Sequence, residues 1–321
     1  MKAFKKILFC VDPDLTDVDL VEHVAQIAKA NHALVEVLHV IGDYPENMRE
    51  WWNVHHPEEL QAKIVNERQN FINGIIERLK DADVEHVDSA LRWSKEGKVF
   101  LRIIHEVIVN HHELVIFSSR RRGKKGKMVF AKMMLESPAT QLFRYCPCPL
   151  WIARGQSTQP FKRVVAALNG KEGKVKCEGI NTHIMETATA IAASGDSELH
   201  IIHALPIYGG YGWDGSRLRP ELVQYTEKLR GEICRKGSID DDRIHLFVGS
   251  PADVVPDFVR ADDLLVLGTT AQVGLRQLIV GGTAEKILER VDCGVLAVKP
   301  DEFVSLVTVE EDHGALHNPP T

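Results

Sequence analysis

Two short groups of residues near the end of the chain carry the pattern with most chemical content. Gly268 and Thr269 close an apolar run, and Gly281, Gly282 and Thr283 open a stretch of helical periodicity. Backbone N–H groups at a helix N-terminus have no intrahelical partner, and glycines admit a phosphate to the main chain, so this combination suits an anion. It suits a tight turn between a strand and a helix equally well, since glycine pairs are common in loops. Thr283 is placed to cap the helix, with Glu285 in the first turn where the dipole favours a negative charge.

Other residue types promise less. His55-His56 and His111-His112 are adjacent pairs whose side chains diverge, and no HExxH spacing occurs, so no metal site is expected. His39 and His203 occupy matching places and read as packing or hydrogen-bonding residues. The cysteines at 10, 146, 148, 177, 234 and 293 form no CxxC pair and read as reduced thiols of a cytoplasmic protein, Cys146 and Cys148 included. No GxSxG or GxxxxGK[ST] motif occurs, and no carboxylate pair has an acid-base spacing, so the chain is not expected to be an enzyme. Ser194 to Ser197, SGDS, reads as a turn.

A basic run, Arg120, Arg121, Arg122, Lys124, Lys125 and Lys127, has the composition of a phosphate-binding patch or of a solvated loop. With no interleaved aromatics and a formal charge of −6 on the chain, the loop is favoured and nucleic acid is not expected as a partner. Trp51 and Trp52 with Tyr44 and Met48, and Tyr208, Tyr211 and Trp213, follow the second strand of each half. They have the makings of an apolar ligand pocket or of an interface.

The elements that must position these groups follow from periodicity. Short apolar runs are expected as strands at 7–11, 34–39, 88–93, 114–117 and 149–153, and again at 164–168, 199–203, 243–248, 264–267 and 295–298. Helices are expected at Val18 to Ala30, Glu58 to Leu79, Leu222 to Cys234, Val254 to Val259 and Thr283 to Val291, with Ser137 capping another that starts at Pro138. The halves match in order. FKKILFCVDPD from Phe4 returns as FKRVVAALNGK from Phe161, LVIFSS from Leu114 as LLVLGT from Leu264, and CPLWIAR from Cys148 as CGVLAVK from Cys293. The chain is therefore a tandem duplication of an α/β unit, each copy a doubly wound, five-stranded parallel sheet; the order 3-2-1-4-5 is assumed for it, since periodicity does not supply strand order. The expected divisions are 1–154, a linker at 155–160, 161–304, and a disordered acidic and polar tail at 305–321. In such sheets a ligand sits where the winding reverses, between strands 1 and 4. That places Asp12 with Ser118 in the first copy and Asn169 with Gly268 in the second.

Of the 321 residues 44% are hydrophobic and 26% charged, as in ordinary globular domains. No apolar run approaches the ~20 residues that span a bilayer, and no signal-peptide pattern develops. A soluble cytoplasmic protein is expected, without a membrane partner.

On these residues the chain resembles the universal stress protein family in its tandem form, over nearly its whole length and most strongly from Val248 to Phe303. The resemblance implies a fold like that of the adenine nucleotide alpha hydrolases, dimerisation through the last strand and, in some members, ATP binding through G-x2-G-x9-G-[S/T] with an Asp ending strand 1. The second copy keeps Gly268 and Gly281 of that motif but has Ala271 at the second glycine, Gly282 at the Ser/Thr and Asn169 at the Asp. The first copy keeps Asp12 and loses the loop, with Ser118 and Glu136-Ser137 at the glycine positions. A carboxylate ~4 Å from a phosphate opposes it by ~4 kcal/mol at an effective dielectric of 20.

The resemblance thus implies a stress-response regulatory protein with ATP or a related nucleotide in the second copy only, held by Asn169, Gly268, Thr269, Gly281, Gly282 and Thr283. It also implies that the last strands, Leu150 to Ala153 and Val295 to Val298, pair as an intramolecular pseudo-dimer, with a homodimer as a further assembly. The alternative is a module that binds a hydrophobic, lipid-like metabolite or a protein partner.

Overall fold

Runs such as Ile7-Leu8-Phe9 and Leu264-Leu265-Val266 lose all contact with solvent, as strands covered on both faces by crossover helices must. The computed structural model describes residues 4–13, 18–42, 58–94, 98–119, 137–154, 161–169, 175–205, 213–214, 217–218, 224, 227–228, 230–231, 239–269, 271–272, 279–280, 282–305 and 307. The chain divides into two compact units. One comprises Ala3–Gln156 with Val304–Thr321, and the other Ser157–Phe303 with Met1–Lys2.

The first unit contains β1 (Lys6–Cys10), α1 (Val18–Asn31), β2 (Leu34–Gly42), α2 (Glu58–Asp81), β3 (Val87–Ser94), α3 (Val99–Asn110), β4 (Leu114–Ser118), α4 (Pro138–Tyr145) and β5 (Leu150–Ala153). Its strands are parallel and ordered β3-β2-β1-β4-β5. The second unit contains β6 (Arg163–Leu168), α5 (Val175–Gly195), β7 (Glu198–Leu205), the two-residue strands β8 (Trp213–Asp214) and β9 (Arg217–Leu218), and β10 (Ile244–Val248). It continues with α6 (Pro251–Phe258), β11 (Leu264–Gly268), the short β12 (Ala271–Gln272) and β13 (Ile279–Val280), α7 (Gly282–Arg290) and β14 (Gly294–Val298). Its five main strands run parallel in the order β10-β7-β6-β11-β14. Each unit therefore has the 3-2-1-4-5 winding that the sequence reading assumed.

Local sequence explains most boundaries. Ser137 accepts a hydrogen bond from the Thr140 N–H at 3.3 Å, and Pro138 opens α4, where its missing N–H costs nothing. His111 closes α3 with φ 55°, ψ 47°, which turns it to solvent while His112 is buried. The SGDS tetrapeptide is the turn that ends α5, with Asp196 at φ 52° and the Ser194 hydroxyl bonded to the Ile191 carbonyl at 2.8 Å.

Three expectations need correction. The final helix begins one residue early, at Gly282, so Thr283 lies in its first turn and does not cap it. The helix expected from Val254 starts at Pro251, since proline is acceptable in a first turn. The loop after β11 is interrupted by the antiparallel pairing of Ala271 with Val280 and Gln272 with Ile279. Of the helix expected at 222–234, only residues 224, 227, 228, 230 and 231 are described, all helical. The basic run at 120–127, Gly281, His55-His56, Tyr44, Met48, Trp51, Trp52, Tyr208, Tyr211 and the tail from 308 lie outside the described residues.

Candidate functional site

β6 and β11 are neighbours in register, Val164 beside Leu264 through Ala167 beside Leu267, so their carboxyl ends finish side by side. Asn169 follows β6 directly, Gly268 ends β11 and Thr269 follows it. The structure thus brings these three predicted residues to one edge. The crossovers after β6 and β11 return the chain through α5 and α7, and a parallel crossover helix must start at the carboxyl edge of its sheet. Two helix N-termini, whose first N–H groups have no partner within the helix, therefore belong to the same edge as Asn169.

The main chain of Asn169 is held by a residue that periodicity did not single out. Asn181, in the second turn of α5, accepts from the Asn169 N–H through Oδ1 at 2.8 Å and donates through Nδ2 to the Asn169 carbonyl at 3.1 Å. An amide side chain can do both at once, and in doing so it continues the pairing of a strand past its end. The conformation of Asn169 is thereby set by the helix that follows it.

Gly268 has a packing reason to be glycine. A Cβ there would stand 2.6 Å from Ile180 Cγ1 and 3.1 Å from Ile184 Cδ1, well inside contact distance. α5 lies so close to the end of β11 that a side chain does not fit. Thr269 is likewise engaged. It is 1% exposed, its N–H donates to the Val298 carbonyl at 2.9 Å, and its hydroxyl leans on the same oxygen at 3.4 Å. Gly282 is the opposite case: it is exposed, and a Cβ there would meet nothing within 4 Å. Thr283 beside it is also exposed.

The edge carries a buried cation as well. Lys299, directly after β14, is 5% exposed with its ammonium 4.7 Å above the Phe303 ring, a cation-π contact. Its carbonyl accepts from His183 Nδ1 at 3.5 Å, and His183 Nε2 lies 3.3 Å from Asp301. The sequence signal for Lys299 was only a basic residue closing an apolar run.

In the first unit the matching corner is built otherwise. His39 of β2, buried, donates from Nδ1 to the carbonyl of Val11 at 2.8 Å, the residue before Asp12. Burial is the largest influence on His39 and holds it below the usual imidazole range, with the Val11 bond opposing. Ser118, at the place of Gly268, is 2% exposed, and the Ser119 N–H donates to Ala153 at 2.9 Å as Thr269 does to Val298.

The remaining candidates resolve into structural roles. His112 bridges Glu36 Oε2 at 3.0 Å and the Glu106 carbonyl at 3.1 Å, and that hydrogen bond is the first cause holding the Glu36 carboxyl below its ordinary range. Cys146 and Cys148 have their sulfurs 3.8 Å apart, both buried, and no disulfide joins them. Burial pushes the Cys10 thiol up, which suits packing and not nucleophilic chemistry. Among the described residues no three histidine, cysteine or carboxylate groups are arranged to hold a metal, and no helix is long and apolar enough to cross a membrane.

A family model described as the universal stress protein family matches residues 3–154 and 180–299. The chain is 23% identical over 316 residues to universal stress protein E of Photorhabdus laumondii subsp. laumondii, covering 94% of this chain and 97% of that one. Among solved structures it is similar to a functionally unknown protein from Pseudomonas aeruginosa PAO1, with 20% identity, TM-score 0.63 and 93% and 94% of the two chains covered. It is also similar to a universal stress protein from Archaeoglobus fulgidus DSM 4304, with 15% identity, TM-score 0.62 and 93% and 98% covered. At these identities the solved structures speak for the fold.

Proposed function

Since the chain belongs to the universal stress protein family, with the stress-response role of that family, we propose that it works by binding a small molecule at the carboxyl edge of its second unit, and that the ligand is ATP or a related adenine nucleotide. The observation that carries this reading is the corner itself. Asn169 is held by Asn181 beside Gly268, at the point where the winding reverses and at the sheet edge from which α5 and α7 start. The Asn169 amide both donates and accepts, as an adenine or ribose edge requires. The exposed start of α7 at Gly282 and Thr283 offers phosphate N–H groups that have no partner within the helix, and Lys299 adds positive charge to that edge. The role is binding and not catalysis.

Gly282→Glu tests this with little risk to folding, because the position is open and a carboxylate in a first helical turn is favourable. By calorimetric titration or native mass spectrometry, ATP bound by the wild-type chain should bind at least about a hundredfold more weakly to Gly282→Glu, the repulsion at ~4 Å being a few kcal/mol. Unchanged binding in the variant, or no binding by the wild type at millimolar ATP, defeats the nucleotide reading.

A second reading has its own observation. Gly268 and Thr269 are both explained by contacts inside the unit, to Ile180 and to Val298. A glycine motif that survives for packing is compatible with a module that binds a hydrophobic metabolite or a protein. An apolar mass that accompanies the purified protein under native ionisation, with no nucleotide, favours that reading.

A further inference from the structure

Away from the carboxyl edge, the second unit contains a pair of imidazoles in direct contact. His200 lies on β7 and His245 on β10, the strand at the edge of this unit's sheet. His200 Nδ1 and His245 Nε2 are 3.0 Å apart. The ring centroids are 5.3 Å apart and the planes differ by 15°. The centroid separation exceeds that of the nitrogens by the full radii of both rings, so the two nitrogens point at each other in a common plane. That is a head-on hydrogen bond with one proton between two lone pairs. A metal ion would need ~2.0–2.1 Å to each nitrogen from a converging direction, for which a head-on contact has no room.

The other ring nitrogen of His200, Nε2, lies 3.3 Å from Glu198 Oε2. Glu198 accepts from it, so His200 Nδ1 is left to accept from His245 Nε2–H. Among the described residues the charged groups facing the pair are Glu198 on β7, Arg163 on β6 with its partner Asp263, Arg230, and Asp242 in the 3-10 turn Asp241–Arg243. Phe258 of α6 covers the His245 ring at 4.6 Å.

We propose that His200 and His245 form an acid-sensitive latch that holds the edge strand β10 to β7. One added proton is accommodated, because the shared proton can shift to His200 and leave an imidazolium beside the Glu198 carboxylate while His245 accepts. A second added proton puts an N–H on both facing nitrogens, and the link must break. Burial, then His200, Arg163 and Arg230, hold His245 below its ordinary range, with Asp242 opposing, so the folded pair resists that second proton. Opened, His245 regains an ordinary imidazole's affinity for that proton, so the open form gains on going from pH 7.5 to pH 5.0, by at most about 30-fold for a reference value of ~6.5. This inference does not depend on what the carboxyl edge binds.

The test is hydrogen exchange of the Ile244–Val248 amides in the full chain at pH 7.5 and 5.0, corrected for the intrinsic effect of pH. Protection of β10 in the wild type should drop severalfold, and by at most about 30-fold, relative to the amides of β6. His245→Gln, which still donates to His200 but does not titrate, should lose most of that drop. Unchanged protection in the wild type, or an equal drop in His245→Gln, overturns the latch. If the variant does not fold, imidazole resonances of the wild type decide. Two rings titrating with well-separated midpoints, one of them below ordinary imidazole, support it, and two independent titrations near the ordinary value overturn it.

Discussion

The amino edges of the two units join corresponding strands with different chemistry. In the second unit Arg163 of β6 grips Asp263, directly before β11, through Nε at 2.9 Å and Nη2 at 2.5 Å. Asp263 also accepts from the Arg260 N–H at 2.7 Å and is 1% exposed. Hydrogen bonding to Asp263 raises the Arg163 pKa further, so the pair stays charged. In the first unit the same places hold Lys6 and Glu113, which meet through the main chain, the Glu113 N–H donating to the Lys6 carbonyl at 2.8 Å, while their side chains take other partners. Lys6 Nζ donates to the Asn110 carbonyl at 2.9 Å, and Glu113 accepts from the Lys5 N–H at 2.5 Å in an exposed position. Winding does not require one particular joint. A guanidinium can form a buried two-bond clasp with a carboxylate, and an ammonium, a point charge, is better placed against a carbonyl near solvent.

The largest expected effect sharpens that contrast. Asp263→Ala leaves a buried guanidinium without its partner and should cost about 3–5 kcal/mol in urea unfolding, whereas Glu113→Ala should cost under about 1 kcal/mol. Similar losses for both would show that the buried clasp is no stronger than the exposed contact. Next, Gly268→Ala should destabilise the second unit by about 1–3 kcal/mol through the Ile180 clash. Combined with Ile180→Ala, its added cost should largely vanish, a coupling that a double-mutant cycle reads directly. The first unit already carries Ser118 at this place, so the constraint belongs to α5 and not to the winding.

Smaller effects separate the two carboxyl edges. Asn181→Leu removes both bonds to Asn169 and should cost about 1–2 kcal/mol, with little dependence on pH because an amide does not titrate. The first unit should respond to acid at the matching corner. His39 is held below its unfolded value, so the unfolded chain takes the proton more readily. The stability it contributes is present above about pH 6.5 and is lost as pH falls through the folded value. His39→Gln should flatten that part of the pH profile of first-unit hydrogen exchange. A matching acid response at the Asn169 corner, outside β10, would erase the distinction.

Much of this architecture was legible in the chain. Apolar runs ending at Gly, Lys or Asp marked the strands, because a strand buried on both faces has to be apolar throughout, and the ordered repeat of those runs implied two units of one winding. The caps at Ser137 and Pro138 were visible because they depend on neighbours a few residues away. α5 escaped, since its face of Ile180, Ile184, Thr187, Ala188 and Ile191 is diluted by small and polar residues. With α5 went the two contacts that shape the candidate corner, Asn181 to Asn169 and Ile180 to Gly268.

Read alone, the amino-acid order determined that two α/β units follow one another and that Asn169 and Gly268 belong to the same strand edge, because periodicity and parallel crossovers are properties of short stretches. Only the tertiary structure decided why Gly268 has no side chain, what holds Asn169, and that His200 faces His245. Each of those rests on groups from separate elements brought within a few ångströms, a distance that no spacing along the chain encodes.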